Sequence, residues 1–286
     1  AFVSGPRMVE TLTGESLEPA ELGGAGVHAA ATGVASLVVA DEDEARDALG
    51  DLLALLPSHV DEESPRRWTD DPIDRPTPEA GALIPASPTG GYDVRDVARA
   101  IVDDGELLEL RERWAPNLVT ALATVGGRTV GIVANQPVAI AGTLDIPASQ
   151  KGARFVSFCD AFGIPLLTLI DTPGFYPGKD LEWRGMIRHG AQLAFAYARA
   201  TVPRVAVVLR KAYGGAYIVM DCRAMGSDLY LAWPSAEIAV MGAKGAVEIL
   251  HRREPPGRRG GGEKENGRGV LQPPHAGAPR SARRGF

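Results

Sequence analysis

The sequence predicts an α/β layered protein. Short apolar runs such as "PLLTLI" and "RVAVVLR" read as buried strands. Stretches with apolar residues on one face, such as "ASQKGARFVSFCDAF", alternate with them as helices. Glycine-rich turns join several of the strands to the next helix, most plainly in "RKAYGGAYIVM".

Taken in order, residues 1–60 read as turn and helix. "DEDEARDALGDLLALLPSHV" is an amphipathic helix with acidic residues in its first turn and apolar positions at Ala45, Ala48, Leu52, Leu53 and Leu56. Residues 57–91 are rich in Pro, Asp, Glu and Gly and show little periodicity, so 61–91 is expected to be a linker. "DVRDVARAIVDDGELLEL" is expected to be helical, and "LVTALATV" and "TVGIVAN" flank "GGR" as a hairpin. "PVAIA" reads as a strand running into Gly142. "PLLTLI" is a strand that ends at the turn "DTPGF". "RHGAQLAFAYARAT" is a helix, "RVAVVLR" a strand, and "YGGAY" opens the next helix. "LYLAW" and "EIAVM" are further strands, and "GAKGAVEILHR" a helix. From Pro255 the chain is dominated by Gly, Pro and Arg and cannot bury enough surface to offset its ordering entropy, so residues 255–286 are expected to be disordered.

Bulk properties exclude several classes. A formal net charge of −6 provides no basic field for nonspecific nucleic-acid binding. No apolar run approaches the roughly 18 residues of a membrane span, and the first residues show no signal-peptide pattern. Cys159 and Cys222, both expected in helices, are too few for a disulfide framework or a zinc cage, which fits a cytoplasmic location. Cys222 beside Asp221 is read as a buried thiol rather than a nucleophile.

Residues with catalytic potential are sparse. His28, His59, His189, His251 and His275 show no metal-ligand spacing, and no G-x-S-x-G elbow is present. "DTPGF" resembles a GTPase switch segment, but the chain has no phosphate-binding loop and no Asn-Lys-x-Asp segment. Asp171 is therefore expected to cap the loop before the following helix. What remains is backbone. A buried strand, Gly214-Gly215, then a helix leaves unpaired N–H groups at a helix start, where bare backbone allows close approach of an anion or oxyanion. The same grammar recurs at Gly142-Thr143-Leu144-Asp145 and at Gly242–Ala246. Glycine serving strand–helix packing is the plain alternative at each.

Four stretches, "GRTVGIVANQP", "AGTLDIPASQKGARFVSFCDAFGIPLLTLIDTPGFYPG", "EWRGMIRHGAQLAFAYARATVPRVAVVLRKAYGGAYIVM" and "LYLAWPSAEIAVMGAKGAVEILHRRE", resemble the carboxyltransferase (beta) subunits of biotin-dependent acyl-CoA carboxylases. The resemblance covers about residues 3–254. It implies crotonase-like (ClpP/crotonase) spiral domains: residues 1–60 as the later part of an N-terminal domain, 61–91 as a linker and 92–254 as most of a C-terminal domain. It implies a hexamer built as a trimer of dimers, with a biotin carboxylase or biotin carboxyl carrier subunit as partner. It implies carboxyl transfer from carboxybiotin to the α carbon of a short-chain acyl-CoA, acetyl-CoA or propionyl-CoA, with no metal at this step. Gly215 and Ala216 would supply the oxyanion-hole amides that face biotin, and Gly214 would permit the turn. Tyr213, Tyr217 and Ile218 would line the pocket, with Ile218 leaning the reading towards acetyl-CoA.

By the same resemblance, the other oxyanion hole and most CoA-binding residues fall in a part of the family's length that this chain does not span, so activity of the chain alone is expected to be impaired. The 255–286 tail departs from the family pattern and is expected to be an out-of-frame segment. A non-catalytic fragment or assembly subunit, and the carboxyltransferase subunit of a biotin-dependent decarboxylase, are the alternative roles.

Overall fold

A computed structural model describes residues 1–59, 61–242 and 246–247. Ala1–Val240 forms one compact unit. The expected helix "GAKGAVEILHR" and the 255–286 tail lie almost wholly outside the described residues.

The N-terminal stretch carries short helices α1 (Pro6–Thr13), α2 (Pro19–Gly23) and α3 (Ala25–Val27), then α4 (Glu42–Leu53). Asp41 caps α4 by accepting from Glu44 N–H at 2.9 Å, and Glu42, Asp43 and Glu44 occupy the first turn. The apolar stripe is shifted from the expected one. Ala45 and Leu53 are exposed, while Leu52, Leu55 and Leu56 pack on the core. The helix ends at Leu53, so the following leucines leave helical phase.

Next come α5 (Pro78–Ala82) and α6 (Val94–Ile101). The helical reading of 93–110 holds only to Ile101. Val102 leaves the helix in extended backbone (φ −82°, ψ 163°), Asp104 and Gly105 then take left-handed φ values of 54° and 67°, and the chain continues into a two-residue strand, β1 (Leu108–Glu109). Then follow β2 (Leu118–Val125), β3 (Arg128–Asn135), α7 (Ile146–Ala161), β4 (Leu166–Thr172), α8 (Lys179–Trp183), α9 (Met186–Arg199), β5 (Arg204–Tyr213), α10 (Gly214–Val219), β6 (Leu229–Ala232) and β7 (Glu237–Ala239).

Among the described residues these strands form one sheet in the order β1-β2-β3-β4-β5-β6, with β7 also pairing with β5. β1–β2 and β2–β3 are antiparallel; β3–β4, β4–β5, β5–β6 and β5–β7 are parallel. The β2–β3 hairpin is the one expected at "GGR". Its turn is pinned by the buried Asp103 carboxylate, which accepts from Gly126 N–H at 2.8 Å and Gly127 N–H at 2.7 Å.

Strands β2 to β5 are covered on both faces, which explains their near-continuous apolar runs, whereas β6 and β7 are largely exposed. One core joins Leu118, Leu122, Val133, Leu166, Ile170, Ala206 and Val208 of the strands to Phe155, Val156 and Cys159 of α7 and Leu193 and Tyr197 of α9. The other joins Val119, Ala121, Ile132, Ala134, Leu169 and Leu209 to Tyr92 and to Val94 and Val97 of α6. Lys151 of α7 is 1% exposed and donates to the carbonyls of Trp114, at 2.9 Å, and Ala115, at 3.4 Å.

Segment 61–91 is attached to this framework. Arg67 N–H donates to Gly127 O at 2.9 Å, and Arg75 donates to Ala100 O at 3.0 Å and Val102 O at 3.1 Å. Cys159 and Cys222 are buried free thiols. Cys159 lies in α7, whereas Cys222 lies after α10 and outside any helix. Among the described residues no helix is long and apolar enough to cross a membrane.

Candidate active site

β3, β4 and β5 run parallel, so their carboxyl ends open on one edge, where open α/β sheets bind ligands. The loop after β4, the loop after β3 and helix α10 meet there. Leu144 and Phe175 pair as an isolated parallel bridge, and Tyr176 N–H donates to Leu144 O at 2.8 Å.

The six consecutive residues singled out in the sequence, Tyr213 to Ile218, form the junction of β5 and α10. Tyr213 ends the strand in extended backbone (φ −110°, ψ 138°) and Gly214 turns the chain with φ 59°, a left-handed value that favours glycine. A Cβ on Gly214 would also lie 3.1 Å from Val240 O. Gly215 and Ala216 fall in the first turn of α10, whose N–H groups have no acceptor within the helix. Gly215 is exposed, and the Ala216 side chain is fully buried. A Cβ on Gly215 would lie 3.3 Å from the Phe175 ring, so the bare backbone and the ring pack against one another.

Around this turn, Tyr213 is largely buried and donates its hydroxyl to Glu237 of β7. Burial and the Glu237 carboxylate push this phenol well above its ordinary value. Tyr217 meets Tyr230 edge to face, with ring centroids 6.3 Å apart. Ile218 is half exposed.

Two sequence expectations change here. "PVAIA" is not a strand: Pro137 follows β3, and Ile140, Ala141 and Gly142 take φ values of 42°, 57° and 72°. Three successive left-handed residues cannot continue a pleated strand. Asp145 then caps α7, accepting from Ala148 N–H at 2.9 Å. Asp171 does not cap a loop either. It lies within β4, 1% exposed, with its carboxylate facing β5. There it accepts from Arg210 Nε at 3.0 Å, Lys211 N–H at 3.1 Å and the Tyr92 hydroxyl at 2.8 Å. Of the Gly242–Ala246 recurrence, Ala243–Gly245 lie outside the described residues.

Sequence reading missed Phe175 and the Asp171–Arg210 pair as parts of this edge. Both were visible only as members of quoted motifs, "DTPGF" and "RKAYGGAY", with nothing in the sequence to join them.

At this point an open parallel sheet edge and a glycine-started helix lie side by side. The match to the carboxyl transferase domain model over residues 1–271 places the chain in that family, with the crotonase-like α/β fold. It is 49% identical to the propionyl-CoA carboxylase beta chain of Saccharopolyspora erythraea, over 88% of this chain and 48% of that protein. It is 49% identical to the methylmalonyl-CoA carboxyltransferase 12S subunit of Propionibacterium freudenreichii subsp. shermanii, over 88% of this chain and 49% of the relative. A crystal structure of transcarboxylase 12S with methylmalonyl-coenzyme A and methylmalonic acid bound superimposes with a TM-score of 0.86 at 49% identity, covering 90% of this chain and 50% of that one. The chain spans about half the length of the curated relatives it matches.

Proposed function

We propose that this chain forms part of a carboxyltransferase that moves a carboxyl group from carboxybiotin to the α carbon of a short-chain acyl-CoA. The observation that carries the reading is the Gly214 turn. It opens α10 so that first-turn N–H groups stand at the sheet edge with only hydrogen at the Gly215 Cα.

The donor set fits a ureido group, because its oxygen is an acceptor and the turn presents backbone donors. Carboxybiotin, borne on a biotin carboxyl carrier partner, supplies the carboxyl group when bound. The Gly215 and Ala216 amides hold the ureido oxygen, and Gly214 sets their direction. Tyr213, locked to Glu237, and Tyr217, packed on Tyr230, form walls rather than acids or bases. Ile218 faces the acyl side. The named relatives act on propionyl-CoA or methylmalonyl-CoA, which shifts the proposed substrate from acetyl-CoA towards propionyl-CoA. A homo-oligomer in the cytoplasm is the setting that this reading implies.

The test is the reverse reaction, with malonyl-CoA or methylmalonyl-CoA as donor and free biotin as acceptor. Ala216→Pro removes one N–H donor and is expected to lower the rate on the order of 10²–10³-fold. A wild-type rate in a folded variant removes Ala216 from the site. Faster use of malonyl-CoA than of methylmalonyl-CoA returns the substrate to acetyl-CoA. Turnover of neither by wild-type protein, together with co-purification with a full-length subunit, supports the assembly role instead.

A further inference from the structure

We propose that Asp171 is a positioning residue for the Gly215 and Ala216 amides, acting through a bulge in β5. The inference rests on the carboxyltransferase reading above.

The β4–β5 ladder is regular from Leu166↔Arg204 to Ile170↔Val208, and its next pair is Thr172↔Ala212. Between the last two pairs β4 advances two residues and β5 four, so β5 carries extra backbone at Leu209–Lys211. Such bulges bend a strand and re-aim the residues beyond them. Two residues after Lys211 the chain enters the Tyr213–Gly214 turn, so the bulge sets the direction in which that turn points.

A bulge leaves backbone donors without ladder partners, and in a buried place each must be satisfied. Asp171 does this. One carboxylate oxygen accepts the Lys211 N–H at 3.1 Å; the other accepts Arg210 Nε at 3.0 Å and the Tyr92 hydroxyl at 2.8 Å. Asp171 is itself fixed, because its N–H donates to Asn135 Oδ1 of β3 at 3.2 Å. Arg210 then reaches on to Ser87 O at 3.1 Å and Gly90 O at 2.8 Å, and lies 5.1 Å from the Tyr92 ring centre. Lys211 Nζ donates to Pro88 O. One carboxylate therefore joins β3, β4, the β5 bulge and the 87–92 segment immediately before the amide turn. Charge-assisted bonds in a buried setting suit that task, because they are short and directional.

The test uses the full chain with Asp171→Asn, which keeps the shape but loses the charge, and Tyr92→Phe, which removes one donor. Both variants are assayed by amide hydrogen exchange and by reverse-reaction kinetics. Exchange across 211–219 is expected to rise by about tenfold or more while the β2–β3 hairpin stays protected. For Asp171→Asn, kcat is expected to fall on the order of 10²-fold, as misplacement of a catalytic group does, with KM for the CoA ester little changed. Tyr92→Phe should show a smaller loss of the same kind, and it carries the test if the Asp171 variant does not fold. Wild-type exchange in 211–219, or a loss confined to KM, overturns the proposal. If Ala216→Pro is slow while both variants keep wild-type kcat, the positioning role falls and the site reading stands. If Ala216→Pro keeps the wild-type rate, the site reading falls, and with it the role of Asp171 in catalysis.

Discussion

At the residue scale, single polar groups buried in apolar surroundings hold the structure at defined points. Lys151 is the plainest case. Burial holds its amine down at about 8, against an ordinary value of 10.5. A folded state that disfavours the charged form gains most where the unfolded chain has also lost its proton. The contribution is therefore full above about 10.5 and is lost as pH falls through about 8. Stability should rise between those values, and Lys151→Met should flatten the rise when urea midpoints are compared across that window. A slope unchanged by the substitution would assign it to other groups. None of this was legible in "ASQKGARF", where Lys151 reads as one more polar helix residue. Its burial follows from the Trp114 and Ala115 carbonyls, which lie 37 and 36 residues earlier in the chain. The glycine turn at Gly214 was legible, because a left-handed residue at a strand-to-helix junction needs a residue without Cβ and the sequence supplies two.

At the element scale, the alternation of strands and helices could be read because the central strands are covered on both faces and are largely apolar. Misreadings fell where apolar composition and backbone geometry disagree. "PVAIA" has strand-like composition, yet left-handed residues fold it into a turn. "VDDGELLEL" has helix-like composition, yet Val102 is extended, Asp104 and Gly105 are left-handed, and Asp103 is drawn to the hairpin turn. That contact sets a prediction. Asp103→Ala leaves the Gly126 and Gly127 N–H groups without their shared acceptor, and should cost about 1–3 kcal/mol. Chemical denaturation would read the loss directly, and Asp103→Asn should recover part of it. An alanine variant as stable as wild type would show that other groups satisfy the hairpin turn.

At the scale of the whole molecule, composition says least about how segments attach. Segment 61–91 has the Pro, Gly and acidic content of a linker, and many of its attachments end on backbone carbonyls, several of them from arginine side chains. Such bonds leave no periodic trace, because a carbonyl belongs to every residue alike. The candidate site shares this property. The resemblance located Gly215 and Ala216 by motif, whereas the Asp171 carboxylate that braces the turn becomes visible only once β4 and β5 lie side by side.

The two buried thiols give the protein a built-in clock. Cys159 sits in the main core between α7 and the sheet, and Cys222 is buried just after α10. Neither can meet an aromatic disulfide reagent until the helical layer lifts from the strands. Labelling of Cys159→Ser and Cys222→Ser single-thiol variants should therefore track opening of the protein rather than reagent concentration once reagent is in excess. If the layer opens as one cooperative unit, the two thiols will keep the same time; if α10 and its turn detach first, Cys222 will run ahead.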